Sequence, residues 1–382
     1  MDTGNESSER MSSHEVKTLS DEQVKRYARN IVLPEVGGKG QRKLLSSRVL
    51  VVGNGGLGSP CAYYLAAAGV GHIGLVDGDV ADLTNLQRQI LHWTPDLGKP
   101  KPQSAKEKLT RLNPDVEVTT YFEWLNPENA VRIIRDYDVV VDATDNFPAR
   151  YLMNDVCVLL GKPMVHGSIF RMEGQASVFW AAKGPCYRCL YPSPPPPGAV
   201  PSCAQAGVLG SVAGLIGCLE ATEAIKILLG AGETLVGRLV LFNGLTMEFT
   251  EVSLKKNPSC PACGEGARIS AESIGWFEGE EGSGAGPVHD PNGCATANAD
   301  AVATMSGKTV TLDLKGDKCP MTYIKSRIAL DDLNVGDVLE ILVDYEPATR
   351  NLPAGFSLQG QKVLSVERST SGGWAVRIKK VR

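Results

Sequence analysis

The chain has 382 residues, of which 43% are hydrophobic and 21% charged, and its net charge is −4. This length suits about two domains, and the slightly acidic balance argues against a large nucleic-acid-binding surface, which would show a basic excess. The polar start lacks the pattern of a signal peptide and no apolar run is long enough to span a membrane, so we expect a cytoplasmic protein.

Three segments are predicted after a polar, disordered tail at residues 1–18. Residues 19–264 alternate short apolar runs with longer helical stretches, which predicts an α/β domain with a mostly parallel sheet. Residues 265–306 are rich in Gly, Ala and Asp without periodicity and are predicted to be a flexible linker. Residues 307–382 carry four strand patterns and two helix patterns, which predicts a small two-layer α+β domain.

A glycine-rich turn follows the first strand pattern of the α/β domain. The β-branched run at residues 48–53 leads into this turn, a helix pattern follows at 60–68, and the next strand pattern ends at Asp77. The glycines of the turn are Gly53, Gly55, Gly56 and Gly58. Glycines let backbone N–H groups approach phosphates at a helix N-terminus, and an acid after the second strand can bind a ribose. An adenine-nucleotide site is therefore predicted; the alternative is that these glycines only pack the helix against the strand.

Charged and amide side chains follow the ends of two strand patterns. Asp79, Asn85, Arg88 and Lys101 come after the second strand, and Asp145 comes after the apolar run at 137–142. Cations there suit nucleotidyl transfer, in which negative charge develops on the α-phosphate and the departing pyrophosphate, better than hydride transfer. A carboxylate at the carboxyl end of a parallel strand can hold Mg²⁺. For each cation taken alone, a solvated surface charge is the alternative interpretation.

Four of the ten cysteines form two C-x-x-C pairs, Cys186 with Cys189 and Cys260 with Cys263. Two such pairs supply four thiolates for a closed, tetrahedral structural zinc site. A disulfide scaffold is disfavoured in a chain of this length without an export signal. A redox role for either pair is the alternative.

These motifs resemble those of the MoeB/ThiF family, the bacterial relatives of ubiquitin-activating (E1) enzymes. The resemblance covers about residues 19–264. Its motifs occur in the family's order: Arg26-Tyr-Ala-Arg29, the glycine turn, Asn85-Leu-Gln-Arg88-Gln, Ala143-Thr-Asp145-Asn146, Arg171-Met-Glu-Gly-Gln175 and both cysteine pairs. It implies a Rossmann-like adenylation domain in a homodimer, where each subunit binds Mg-ATP and the Gly-Gly tail of a ubiquitin-like sulfur-carrier protein. The tail's carboxylate would attack the α-phosphate of ATP.

The resemblance also implies roles for single residues. The glycines would lie against the nucleotide, Asp77 would hold the ribose with Asp79 beside it, and Asp145 would hold Mg²⁺. Contacts to the phosphates are implied for Asn85, Arg88 and Lys101. Because a carboxylate is already nucleophilic at neutral pH, no general-base histidine is expected, and the five histidines are assigned no role.

Two further residues receive roles from the same resemblance. Arg29 would reach across the dimer to the phosphates of the partner subunit, as its planar, fixed charge suits phosphate oxygens; the alternative is an ordinary helix charge. Cys203 follows a proline-rich stretch and matches a cysteine that, in some family members, attacks the activated tail from a mobile loop. A cysteine without a chemical role is the alternative.

Cys319 and Pro320 stand between the first strand and the first helix predicted in the C-terminal domain. A cysteine at a helix N-terminus with Lys315 close by is expected to be a ready nucleophile. The stretch at about 309–380 is similar to the TusA/SirA sulfur-relay family, in which this cysteine carries a persulfide. Thr322 stands where that family usually has a second proline, which leaves a degenerate docking domain as the alternative.

The two halves together predict ATP-dependent adenylation of a carrier, followed by sulfur transfer that forms its thiocarboxylate. A cysteine desulfurase or another persulfide donor is the expected sulfur source, and molybdopterin, thiamine thiazole, cysteine or thio-tRNA the possible product. No membrane or nucleic-acid partner is expected. The alternatives are a related dehydratase that activates a carboxylate on tRNA, a nicotinamide-dependent oxidoreductase, and a sulfur-relay scaffold without ATP chemistry.

Overall fold

The computed structural model describes residues 18–195, 207–267, 269–270, 274, 307–317, 321–358, 360–369 and 372–381. The chain divides into two compact units, one carrying an eight-stranded sheet and the other a four-stranded sheet. Across these ranges, every helix is too short or too polar to cross a lipid bilayer.

The first unit alternates strands and helices along the chain. Its strands are β1 (Arg48–Val52), β2 (His72–Val76), β3 (Glu117–Tyr121), β4 (Val139–Asp142), β5 (Met164–Phe170), β6 (Glu173–Phe179), β7 (Arg238–Asn243) and β8 (Glu248–Ser253). Its helices are Asp21–Arg26, Ala28–Ile31, Gly37–Ser46, Gly58–Ala68, Lys101–Leu112, Ala130–Ile134, Phe147–Leu159, Tyr187–Leu190 and Gly210–Leu229, with single 3₁₀ turns at Leu83–Asn85 and Thr94–Asp96.

The strand order of the large sheet is β3-β2-β1-β4-β5-β6-β7-β8. Strands β3, β2, β1, β4 and β5 pair in parallel, whereas β7 and β8 are antiparallel. The chain builds outward from β1 to β3 and then returns to place β4 on the other side of β1. In open α/β sheets, ligands bind in the crevice at the carboxyl ends of the strands beside such a reversal. The mostly parallel α/β sheet expected from the sequence is confirmed.

The central strands are apolar because helices cover both faces of the sheet. Val49, Leu50 and Val51 of β1 and Val139 of β4 are 0% exposed, as continuous hydrophobic runs in parallel sheets usually are. The helix Gly58–Ala68 ends at Gly69, whose φ of 83° is the left-handed conformation that a helix C-terminus often requires.

The second unit has two helices and four strands. They are β9 (Thr309–Asp313), β10 (Val338–Val343), β11 (Lys362–Arg368) and β12 (Trp374–Lys379), with helices Met321–Asp331 and Ala348–Leu358. The sheet order is β11-β12-β10-β9, in which only the β9–β10 pair is parallel. Apolar side chains of β10 and β12 pack with Leu330, Leu352 and Phe356 from the helices in one buried core. The small α+β domain predicted at the C-terminus is confirmed.

Candidate active site

The loops after β1, β2 and β4 are tied together at the carboxyl edge of the sheet. The Gly53 N–H donates to the Val76 carbonyl at 2.8 Å, and the Ala143 N–H donates to the Val52 carbonyl at 3.0 Å. The Asn54 N–H donates to Oδ2 of Asp77 at 2.7 Å. The glycine turn, Asp77 and the loop that leads to Asp145 therefore lie together at the edge of the sheet where open α/β folds bind ligands.

The four glycines of the turn have two kinds of environment: two are packed against backbone atoms, and two are half-buried. A Cβ on Gly58 would lie 2.0 Å from the Gly53 carbonyl oxygen, and one on Gly53, which has a φ of +89°, would lie 2.6 Å from the Ala143 oxygen. The packing interpretation therefore applies to these two. Gly55 and Gly56 are half-buried, and a Cβ on Gly56 would lie 3.5 Å from Cγ of Arg88. The turn is therefore compact at its base, and at Gly56 a side chain would press against Ala213 and Arg88.

Asp77 is buried, and its carboxylate is engaged by the backbone. Its second oxygen accepts from the Asp79 N–H at 2.9 Å. Burial raises its pKa, while the Lys101 ammonium and the two backbone donors oppose that shift. Lys101 is 5% exposed, and its Nζ lies 2.7 Å from Oδ2 of Asp79, whose side chain is 52% exposed. Asp77 thus fixes the turn, and Lys101 is a buried cation with a partly solvated partner.

The remaining predicted phosphate ligands lie on two other segments. Arg88 and Asn85 are half-buried in and after the 3₁₀ turn Leu83–Asn85, and an Nη of Arg88 donates to the Thr84 carbonyl at 3.1 Å. Arg29 is exposed on the helix Ala28–Ile31 and, over the described ranges, forms no ion pair. Its neighbour Tyr27 is buried, and the Tyr27 hydroxyl donates to Asp115 at 3.0 Å, which fixes the segment that carries Arg29.

Two aspartates at the end of β4 have different environments. Asp142 is fully buried and contacts Nε of Arg150 at 3.1 Å, Nδ1 of His166 at 2.7 Å and Oγ1 of Thr144 at 2.6 Å. Although burial raises the pKa of Asp142, the Arg150 guanidinium and the other donors hold it below its usual value. Asp145 is exposed, and within the described part of the chain its carboxylate has no ion-pair or hydrogen-bond partner. Asp145, and not Asp142, therefore has its oxygens available to a cation.

Several buried polar residues beside this crevice are not indicated by the sequence. His92 contacts the Asn54 carbonyl with Nε2 at 2.8 Å, and His166 contacts Asp142, so these two histidines, which the sequence assigned no role, form buried hydrogen bonds. Arg150 is 6% exposed and Glu220 0% exposed. No periodic pattern indicates such residues: the contacts of His92 and His166 join segments 38 and 24 positions apart, and that of Arg150 with Asp142 spans a turn from strand to helix.

Glu220 lies on the long helix Gly210–Leu229 and faces β5. A Cβ on Gly167 of β5 would lie 2.6 Å from the Glu220 carboxyl carbon. In the described ranges, neither carboxyl oxygen has a side-chain hydrogen-bond partner. Burial, with the nearby Asp142 charge, raises the pKa of Glu220, and Arg150 opposes that shift. Burial therefore favours the neutral form of the Glu220 carboxyl.

The two C-x-x-C pairs meet in one cluster. All four sulfurs, those of Cys186, Cys189, Cys260 and Cys263, lie within 4.8 Å of one another. The closest approaches are 3.5 Å, between the sulfurs of Cys186 and Cys260 and between those of Cys189 and Cys263. Sulfurs bound tetrahedrally at about 2.3 Å from zinc are about 3.8 Å apart, so the cluster has the size that a zinc ion requires.

Cys203 and Cys319 lie outside the described residues, so their predicted roles stay predictions. Thr322, which stands in place of a proline, is 2% exposed, and its carbonyl accepts from the Ser326 hydroxyl at 2.7 Å.

Comparison with known protein families assigns both units. The family model ThiF family matches residues 27–262, and the model Sulfurtransferase TusA matches residues 310–380. The "SAMP-activating enzyme E1" of Haloferax volcanii is 51% identical over 261 residues, which cover 68% of this chain and 96% of that protein. The "Sulfur carrier protein adenylyltransferase" of Thermus thermophilus is 51% identical over 249 residues, covering 64% of this chain and 92% of that protein.

A further relative combines two activities in its name. The "Probable adenylyltransferase/sulfurtransferase MoeZ" of Mycobacterium tuberculosis is 51% identical over 247 residues, covering 64% of this chain and 63% of that protein. Among solved structures, E. coli MccB with ATP superposes with a TM-score of 0.57 at 23% identity, covering 63% of this chain and 75% of MccB. At that identity the likeness concerns the fold alone.

Proposed function

Because this chain belongs to the ThiF family, we propose that it uses Mg-ATP to adenylate the C-terminal Gly-Gly carboxylate of a ubiquitin-like sulfur-carrier protein. We propose that its TusA-like unit then helps to convert the adenylate to a thiocarboxylate. The observation that supports the proposal is that the glycine turn, the Asp77–Asp79 segment paired with Lys101, and the loop that carries the exposed Asp145 share the carboxyl edge of the sheet. The relatives named for activating sulfur carriers support the choice of substrate.

The adenylation step needs positioning and charge neutralisation more than proton transfer. A carboxylate oxygen of the carrier forms a bond to the α-phosphorus while the bond to the β-phosphate oxygen breaks, and pyrophosphate leaves. Arg88 and Lys101 are the cations that face the phosphates, and Asn85 adds an amide donor. Such preorganised charges stabilise the transition state without reorganisation.

Magnesium fits the exposed carboxylate of Asp145, which, unlike that of Asp79, is not paired with a lysine in the described ranges. Mg²⁺ prefers one or two carboxylates together with phosphate oxygens and water, and Asp145 has no competing partner within the described ranges. When bound there, the ion would neutralise phosphate charge. Arg29 is proposed to act on the phosphates of a second copy in a homodimer, since it is exposed and anchored by Tyr27.

Sulfur transfer is proposed to start from a persulfide on Cys319. Its terminal sulfur attacks the carrier's acyl carbon, the C–O bond to phosphate breaks, and AMP leaves. The resulting acyl disulfide is cleaved when the Cys203 thiolate attacks the Cys319 sulfur. The carrier thiocarboxylate is released and a Cys203–Cys319 disulfide remains, which an external thiol reduces. A cysteine desulfurase is the proposed class of persulfide donor.

The experiment that tests this function is intact-mass analysis of Gly-Gly carriers incubated with the protein, Mg-ATP and a persulfide donor. Wild type is expected to form adenylate and then thiocarboxylate, Cys319→Ala to stop at the adenylate, and Asp145→Ala to lose about 10²- to 10³-fold in adenylation. Asp138→Ala is the matched control, because Asp138 is exposed at the opposite end of β4. Failure of wild type to adenylate any carrier would refute the proposal and leave an RNA carboxylate as the next substrate to test.

Zinc is the proposed occupant of the cysteine cluster, where it would tie the segment at 186–189 to the segment at 260–263. Elemental analysis is expected to find one zinc per chain in wild type and none in Cys260→Ser, which should also have a lower Tm. Cys218→Ser, at a half-buried cysteine outside the cluster, should keep the metal. Wild type purified without zinc, with the same Tm as Cys260→Ser, would contradict the assignment.

A further inference from the structure

A buried chain of hydrogen bonds connects the glycine turn to the helix that begins with Lys101. Starting at the turn, the Asn54 carbonyl contacts Nε2 of His92 at 2.8 Å, and Nδ1 of His92 contacts Oγ of Ser104 at 2.9 Å. Nζ of Lys108 donates to the same Oγ at 2.8 Å and pairs with Asp96. These side chains are between 0% and 7% exposed, so water does not compete for the bonds.

The backbone carbonyl at one end of this chain fixes which nitrogen of His92 donates to it. A backbone carbonyl only accepts, so Nε2 of His92 must carry the proton. With the ring neutral, Nδ1 accepts from the Ser104 hydroxyl, and the Ser104 oxygen accepts from the Lys108 ammonium. The carboxylate of Asp96 is a second acceptor within reach of this hydroxyl. The groups that face His92 are Lys101 and Lys108, which disfavour an imidazolium, and Asp96, which favours it but is paired with Lys108. Burial is the largest cause that lowers the pKa of His92, to about 4.

The same chain sets the direction of a backbone donor in the glycine turn. The carbonyl and N–H of a trans peptide point in opposite directions. With the Asn54 carbonyl held by His92, the Gly55 N–H points away from the buried network. Within the described ranges this N–H has no protein acceptor, which is the condition of a backbone donor that receives a phosphate oxygen.

Lys101, Ser104 and Lys108 lie on one buried face of the helix Lys101–Leu112, at spacings of three and four residues. We propose that His92 is a positioning residue that holds the glycine turn and this helix in register, so that the Gly55 N–H and the Lys101 ammonium meet the same phosphate chain. The inference rests on the proposed function, since it assumes that ATP occupies the crevice.

The kinetic test compares two His92 variants with a matched control. His92→Phe keeps the ring volume and removes both hydrogen bonds, and it is expected to raise the KM for ATP about tenfold, the order expected for a lost buried hydrogen bond. His92→Gln restores a donor towards Asn54 and should stay within about threefold of wild type. His72→Phe is the control, because His72 is buried at the amino end of β2, away from the crevice, and contacts Thr119.

A structural role alone would lower Tm for both phenylalanine variants and leave the KM for ATP unchanged in both, which would overturn the proposal. Nitrogen-15 NMR of the wild-type ring provides a readout independent of activity. A neutral Nε2–H tautomer from about pH 5.5 to pH 8 is expected; a ring that titrates near pH 6.5, or the Nδ1–H tautomer, would also overturn it. A wild type that binds no ATP while His92 shows the expected tautomer would instead refute the proposed function.

Discussion

Lys101 is a buried cation whose ion-pair partner is partly exposed to solvent. Its ammonium is 5% exposed and is neutralised by Asp79, a side chain that is itself half solvated. An ion pair with one partly exposed member exchanges partners at lower cost than a fully buried pair, because the released carboxylate returns to water. If Lys101 binds the phosphates as proposed, the return of the Asp79 carboxylate to water keeps the cost of that exchange low.

The first prediction concerns Lys101→Met. Adenylation should fall about 10²- to 10³-fold, because a charge that stabilises the transition state is lost. Tm should fall only modestly, because Asp79 is left solvated although buried Asp77 loses a nearby cation. Pyrophosphate exchange and thermal denaturation measure the two effects. Lys99→Met is the matched control, as Lys99 is half-buried and pairs with Glu107; equal loss in both variants would contradict the assignment.

The second prediction concerns the pH dependence of stability at Glu220. The pKa of this carboxyl is raised in the folded state, mainly by burial, so the folded state binds the proton more tightly than the unfolded chain does. Stability therefore falls as pH rises above the unfolded pKa of about 4.3. Glu220→Gln has no proton to lose and should avoid this loss.

Thermal denaturation should be measured between pH 5 and pH 8. The Tm of Glu220→Gln should exceed that of wild type by an amount that grows with pH. A change of about 2–4 °C corresponds to about 1 kcal/mol in a unit of this size. Glu233→Gln, at a side chain that is 94% exposed, should follow wild type. Parallel curves for wild type and Glu220→Gln would show that Glu220 is ionised in the fold.

At the scale of elements, the glycine turn depends on close backbone contact as much as on ligand binding. Gly58→Ala would place a methyl group 2.0 Å from the Gly53 oxygen, and neither backbone can move without displacing β1 or the helix Gly58–Ala68. We expect loss of ATP binding and a destabilisation of about 1–3 kcal/mol, measured by calorimetric titration and denaturation. Gly214→Ala is the control: its Cβ meets nothing within 4 Å, so it should stabilise the helix by about 0.5–1 kcal/mol.

Elements defined by local pattern could be predicted from the sequence. The runs at β1 and β4 and both helices of the second unit are continuous or periodic, and the turn signals between them are strong. The helix predicted at 60–68 in fact begins at Gly58, because Pro60 is tolerated within a first turn whose N–H groups lack partners. The cysteine cluster could likewise be predicted from the sequence, since each C-x-x-C pair supplies two ligands.

The buried polar partners could not be predicted in this way. His92 and Asn54 are separated by 38 positions, and the Asp142–His166 contact joins two neighbouring strands. These side chains come together only through the order and register of the strands. Neither can be read from a single sequence. Asp142 and Asp145 look alike in sequence, and their burial alone distinguishes the structural carboxylate from the one available to a cation.

At the scale of the whole molecule, two units with separate cores belong to one chain. The first has the adenylation fold, and the second matches a sulfurtransferase family. Each unit alone would leave the reaction unfinished, because an acyl-adenylate needs a sulfur nucleophile and a persulfide needs an activated acyl group. Residues 265–306, predicted to be a flexible linker, would keep the two at an effective concentration of about millimolar order.

The last prediction follows from that tether. Sulfur transfer by wild type should proceed at a rate per enzyme that does not change as the enzyme is diluted, because both partners of the step share a molecule. A mixture of Asp145→Ala and Cys319→Ala chains divides the two steps between molecules, so its thiocarboxylate yield should fall on dilution. The yield is measured on freshly mixed variants and again after their subunits have exchanged. A yield that rises after exchange indicates complementation within a mixed dimer, whereas an equal yield indicates encounters between separate molecules. If the freshly mixed variants match wild type at every dilution, transfer occurs between separate molecules, and the fusion of the two units contributes something other than proximity.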